Sequence, residues 1–139
     1  MPTCYLTRVV HFSAEHRYFR PDWSADQNTR TFGDAGRDHA HAYQCAVTVR
    51  GTPDPSSGMI VDLALLDRVL AEEIVQRFDG RHINRDVAEF AYGKSVPTGE
   101  MLCQDVWRRV AKRLPGSCAL TAVRVQEENT LYAEYRGEA

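Results

Sequence analysis

His39-Ala40-His41-Ala42-Tyr43-Gln44-Cys45-Ala46-Val47-Thr48-Val49-Arg50-Gly51 alternates two sets of side chains. His39, His41, Tyr43, Cys45, Val47 and Val49 share one parity; Ala40, Ala42, Gln44, Ala46, Thr48 and Arg50 share the other. That period of two is what a β-strand imposes, because successive Cβ atoms point to opposite faces of the sheet. The more apolar parity predicts the core side. At its first end this same parity carries two histidines, about 7 Å apart at Cα for a rise of roughly 3.3–3.4 Å per residue. Both rings can therefore reach one ion, although alternate histidines on a strand also occur simply packed or solvated.

Upstream, Cys4 to His16 is rich in β-branched and aromatic residues and reads as a long strand, with Leu6, Val10, Phe12, Ala14 and His16 in phase. Arg17 to Asp38 mixes Pro21, Gly33, Gly36 and several Asp residues with Tyr18, Phe19 and Trp23, and is expected to be a long functional loop. Downstream, Pro53 to Gly58 is a turn. Asp62 then caps a helix with Leu63, Leu66, Leu70, Ile74 and Phe78 at helical spacing. Asp79 to Pro97 reads as irregular. Thr98 is the N-cap of a second helix with Leu102, Val106, Val110 and Leu114 at four-residue intervals, stopped by Pro115-Gly116. Ala119 to Glu127 and Asn129 to Arg136 read as a closing hairpin. The order ββααββ predicts an α+β fold, an antiparallel four-stranded sheet with two helices on one face. Its open edges favour a homo-oligomer.

With 139 residues, the protein is expected to form one domain over 1–139. Its 17 basic and 19 acidic residues give a net charge of −2, and no basic block stands out, so no nucleic-acid partner is expected. No apolar run reaches the roughly 18–20 residues of a membrane span. Cys4, Cys45, Cys103 and Cys118 form no CxxC pair and suit reduced thiols. These features predict a cytoplasmic protein with no membrane partner.

A third histidine, His16, ends the first strand, where a neighbouring strand can bring its ring towards His39 and His41. Three neutral imidazoles leave a fourth position open, the arrangement of a catalytic zinc. Six motifs widen this reading: Phe12-Ser13-Ala14-Glu15-His16-Arg17, Asp38-His39-Ala40-His41-Ala42-Tyr43, Gly58-Met59-Ile60-Val61-Asp62-Leu63, Phe78-Asp79-Gly80-Arg81-His82-Ile83-Asn84, Pro97-Thr98-Gly99-Glu100-Met101-Leu102 and Val125-Gln126-Glu127-Glu128-Asn129-Thr130. In this order they resemble the 6-pyruvoyl-tetrahydropterin and 6-carboxy-tetrahydropterin synthase family over nearly the whole sequence. The resemblance implies the tunnelling fold, in which subunits assemble into an oligomeric barrel with active sites between them. It implies Zn2+ on His16, His39 and His41, and Glu127 as the carboxylate that anchors a pterin ring. Without it, Glu127 reads as a solvated strand-end residue, with Glu128 a competitor.

The sequence also departs from the family pattern. Ala35 stands where the family's catalytic cysteine is expected, and Gly80 where a histidine should follow Asp79. An alanine cannot carry a proton. His82 and Asp79, with Glu128, are the candidate replacements. The expected function is accordingly a zinc-dependent enzyme repurposed for a lyase, aldol-type or cyclising (Pictet-Spengler-like) reaction on an aldehyde or ring-bearing small molecule. The alternatives are a pterin synthase using displaced catalytic residues, or a non-catalytic pterin- or zinc-binding protein.

Overall fold

The computed structural model describes residues 2–138. Strand β1 (Cys4–His16) pairs antiparallel with β2 (His39–Gly51) along its whole length, from Cys4 opposite Gly51 to His16 opposite His39. The Cys4–His16 and His39–Gly51 bounds match the expected strands. Strand β2 pairs antiparallel with β4 (Ala119–Glu128), and β4 with β5 (Leu131–Tyr135). Alternation works as the pattern requires: Phe12, Ala14 and His16 of β1, Tyr43, Cys45, Val47 and Val49 of β2, and Val123 and Val125 of β4 are buried. The β4–β5 register shifts between Gln126 and Glu128. An irregularity of this kind re-aims the side group at its centre, and here that residue is Glu127.

Asp62 caps helix α2 (Leu63–Leu70), its carboxylate accepting from the Ala64 N–H at 3.0 Å. The helix runs on through a π-helical turn (Ala71–Val75) into α3 (Gln76–Phe78). Leu66, Leu70, Ile74 and Phe78 are all fully buried, while Leu63, in the first turn, stays 37% exposed. Successive four-residue steps on a regular helix drift by about 40° each at 3.6 residues per turn. The wider π turn counteracts that drift and keeps the stripe on the sheet. Thr98 caps α5 (Gly99–Ala111), accepting from the Met101 N–H at 3.2 Å, and Leu102, Cys103, Val106 and Val110 complete the same core. Arg77 of α3 donates to the buried Asp105 of α5 at 2.7 Å, tying the two helical segments together with a charge-assisted bond.

The structure departs from the expected outline in two places. The sheet has five strands rather than four, in the order β3-β1-β2-β4-β5. Strand β3 is only Arg81–His82 and runs parallel to β1, with His82 opposite Glu15. Two residues carry no periodicity to read. The pairing is instead built by tertiary bonds, the Gly80 N–H donating to the Ser13 carbonyl at 2.7 Å and the Asp79 carboxylate accepting from the Ser13 N–H at 2.9 Å. The rest of the segment expected to be irregular contains the short helix α4 (Ile83–Asp86). The loop 17–38 likewise folds an eight-residue helix, α1 (Ala25–Phe32), capped by Ser24. It has no apolar stripe to betray it. Buried Asn28 holds it in place by bonding both the N–H and the carbonyl of Arg20, and Trp23 stacks on Phe32 at 5.6 Å. Among the described residues no helix is long and apolar enough to cross a membrane.

Leu66→Ala removes a fully buried isobutyl group from beneath the sheet, and is expected to cost about 2–5 kcal/mol, read as a lowered midpoint in urea unfolding.

Candidate metal centre and ligand pocket

The β1–β2 register brings the three histidines together. His16 is the last residue of β1, His39 the first of β2, and His41 lies opposite Ala14 on the same inner face. Their ring centroids are 4.5 Å (His16–His39), 5.1 Å (His16–His41) and 4.9 Å (His39–His41) apart, and one ligand nitrogen from each falls within 4.8 Å of the other two. Modest ring rotations bring such nitrogens to a common ion at about 2.0–2.1 Å, the usual Zn–N length.

The backbone sets the tautomers. His16 Nδ1 lies 2.9 Å from the Pro97 carbonyl and His39 Nδ1 2.7 Å from the Arg37 carbonyl. A carbonyl only accepts, so both Nδ1 atoms carry the proton and both Nε2 lone pairs are left to accept, with the Tyr43 hydroxyl 3.4 Å from that of His16. This is the outer-shell support that metal-binding histidines use. Burial, and after it the neighbouring His39 and His41, pushes the His16 pKa down to about 3. Burial and His39 lower that of His41. Those two rings are therefore neutral at pH 7, the form a metal requires. The donor set fits a borderline-soft divalent ion with an open coordination position.

Glu127 lies beside the histidine cluster. It is 7% exposed, and its Oε2 lies 3.8 Å from His41 Nε2. The Tyr18 hydroxyl donates to Oε1 at 3.2 Å. Burial raises the Glu127 pKa, and the Tyr18 hydrogen bond opposes that rise. The start of α5 packs against the same carboxylate: a Cβ on Gly99 would sit 3.6 Å from Oε1 and 3.3 Å from the Ala133 methyl. Any larger residue there would crowd Glu127 and Ala133. Glu128, one residue on, is exposed at the strand end.

His82 is buried, and its Nε2 lies 2.8 Å from Asp38 Oδ1, while Arg85 holds Asp38 Oδ2 at 3.2 Å. The hydrogen bond from His82 keeps the Asp38 carboxyl below its ordinary range. Sequence reasoning missed Asp38 as a site residue, although its place immediately before His39 was a signal. Asp79 is exposed and spends its carboxylate on the Ser13 N–H at the sheet edge; no bond joins it to the histidines. Ala35 lies in a 3-10 turn (Gly33–Gly36), where its carbonyl accepts from the Tyr18 N–H at 2.9 Å. Gly80 has φ +72°, the left-handed region that glycine tolerates best. Cys45 is fully buried, and burial pushes its thiol up to about 12, so it offers no proton carrier to the pocket.

Two imidazoles with backbone-fixed tautomers and a third beside a buried carboxylate, on an α+β scaffold, make a candidate metal site. Residues 5–138 match the family model described as 6-pyruvoyl tetrahydropterin synthase, and the chain belongs to that family. It is 36% identical over 136 residues to the 6-pyruvoyl tetrahydrobiopterin synthase of Poecilia reticulata, covering 96% of this chain and 90% of the relative. To the Homo sapiens protein of that name it is 34% identical over 135 residues, covering 96% and 91%. The solved Caenorhabditis elegans 6-pyruvoyl tetrahydropterin synthase superposes with a TM-score of 0.92 at 30% identity, covering 99% of this chain and 98% of that one. A Plasmodium vivax structure at 11% identity and TM-score 0.70 shares the fold.

His39→Ala removes one of the three donors, and is expected to abolish stoichiometric uptake of a divalent metal while the circular dichroism spectrum stays native; metal analysis of dialysed protein checks it.

Proposed function

We propose that this protein is a zinc-dependent pterin synthase that forms a 6-substituted tetrahydropterin with displaced proton-transfer residues. The observation that carries the reading is the 3.8 Å approach of His41 to Glu127, which sets a buried carboxylate against the histidine cluster. The names of the relatives favour this reading over the lyase or aldol reaction expected first from the missing cysteine and histidine. Loss of those two groups at Ala35 and Gly80 changes which residues move protons, not what the pocket holds.

In this reading Glu127 accepts two parallel N–H bonds from the aminopyrimidinone edge of the substrate, which adds orientation to charge-assisted strength. Tyr18 holds one oxygen of that carboxylate and fixes its plane. The acceptor role needs the ionised form, and burial raises the Glu127 pKa. Ring binding therefore weakens on acidification at a higher pH than for an ordinary carboxylate. Zinc, when bound by His16, His39 and His41, polarises the oxygens of the substituent on the pterin ring. His82 supplies proton transfer beside it. Glu128 and Asp79, the other candidates, are exposed, and in this reading neither is needed for the proton step.

The proposal also covers organisation: one domain over 1–139, working in the cytoplasm as a homo-oligomer with active sites between subunits. Exposed Leu131 and Tyr132 on the edge strand β5 support subunit pairing, since an open edge invites a further strand. The free state of all four cysteines suits a reducing compartment.

Glu127→Gln is expected to weaken pterin binding by about 10- to 100-fold, the range for a lost hydrogen bond to a charged group, without shifting the thermal midpoint; fluorescence titration measures it. Zinc-loaded protein incubated with 7,8-dihydroneopterin triphosphate is expected to yield a 6-substituted tetrahydropterin by mass spectrometry. Absence of both product and pterin binding would refute the reading.

A further inference from the structure

His82 and Asp38 lie 44 residues apart in sequence and meet at 2.8 Å. Each stands beside a metal-facing histidine. Asp38 directly precedes His39, and His82 pairs in register with Glu15, which precedes His16. The contact therefore bridges the two ends of the strands that build the cradle.

A carboxylate takes only a proton donor, so the His82 Nε2 facing Asp38 carries the hydrogen and the Nδ1 of the neutral ring keeps its lone pair. That Nδ1 is buried and has no hydrogen-bond partner among the described residues. An unpaired buried polar atom costs about 1–3 kcal/mol, and such exceptions point to a task. Asp38 is itself fixed, since Arg85 grips its second oxygen at 3.2 Å. A carboxylate on one ring nitrogen, with the other nitrogen free, is the way an acid orients a histidine base.

We propose that Asp38 is a positioning residue that locks His82 in the Nε2–H tautomer, making His82 Nδ1 the proton-accepting atom that stands in for the carriers absent at Ala35 and Gly80. The inference rests on the pterin-synthase reading for its substrate. In the step, the C–H bond on the substituent carbon attached to the ring breaks and its proton moves to Nδ1. The electron pair forms a C=C bond to the ring while the ring C=N pair moves onto its nitrogen, which takes a proton from solvent, and Nδ1 later returns its own proton to the substrate. No oxidant or reductant is consumed.

The test compares wild type, Asp38→Asn, Asp38→Glu and His82→Gln, all zinc-loaded, by steady-state kinetics with 7,8-dihydroneopterin triphosphate and by 15N NMR of labelled histidine. Asp38→Asn is expected to lower kcat by at least about 100-fold, the low end for loss of general acid–base catalysis, with KM and metal content changed less than about twofold. In the same variant the His82 signals shift from a single Nε2–H tautomer to a mixture, and Asp38→Glu restores part of both. His82→Gln falls at least as far in kcat. A wild-type spectrum with Nδ1 protonated would overturn the assignment, as would an Asp38→Asn enzyme with disturbed tautomers and undiminished kcat. The spectrum requires no turnover. A wild-type protein inactive on pterins refutes the functional reading, and the 15N signals still decide whether Asp38 sets the ring.

Discussion

The antiparallel register of β1 against β2 is the constraint on which the rest depends. It is continuous over thirteen residues of each strand, and it sets His16 across from His39. A slip by one residue would send every residue of one strand to the opposite face. The same slip would turn Phe12 and Ala14 out of the core and break the histidine cluster. Core burial therefore enforces the geometry of the site. The apolar half of the inward parity makes a misregistered histidine cluster too costly to populate.

One end of one helix supports both the histidine cluster and Glu127. Pro97 supplies the carbonyl that fixes His16, Thr98 caps α5, and Gly99 lets the first turn approach Glu127. His16 and Glu127 thus take their positions from three consecutive residues. Burial drives the two groups in opposite senses on the pKa scale yet leaves both suited to their tasks: it holds His16 neutral, and it raises the Glu127 pKa while the Tyr18 hydroxyl works against the rise. In each case the cause is the same, removal of water from around a charge.

Ala35 and Gly80 lie on different segments from Glu127 and the three histidines. Ala35 sits in the 3-10 turn beyond α1, and Gly80 in the turn before β3. The short strand β3 then carries His82 to the flank of β1, within reach of Asp38. A parallel pairing of only two residues is enough, since the Asp79 and Gly80 bonds to Ser13 pin it.

Much of this was legible in the residues. The period-two pattern of 39–51 and 4–16, the caps Asp62 and Thr98, and the four-residue stripes gave the sheet core and both main helices, because those signals are local. His39 and His41 shared a face by spacing alone. The sequence could not show β3 or α1, whose stability comes from bonds to distant Ser13 and from Asn28 within the loop rather than from an apolar repeat. Nor could it show that Tyr18 meets Glu127 across 109 residues, or that Asp38 meets His82. The chemistry of each residue was fixed by its identity; which of them act together was decided by the strand register and by two turns, which bring remote groups to within a hydrogen bond.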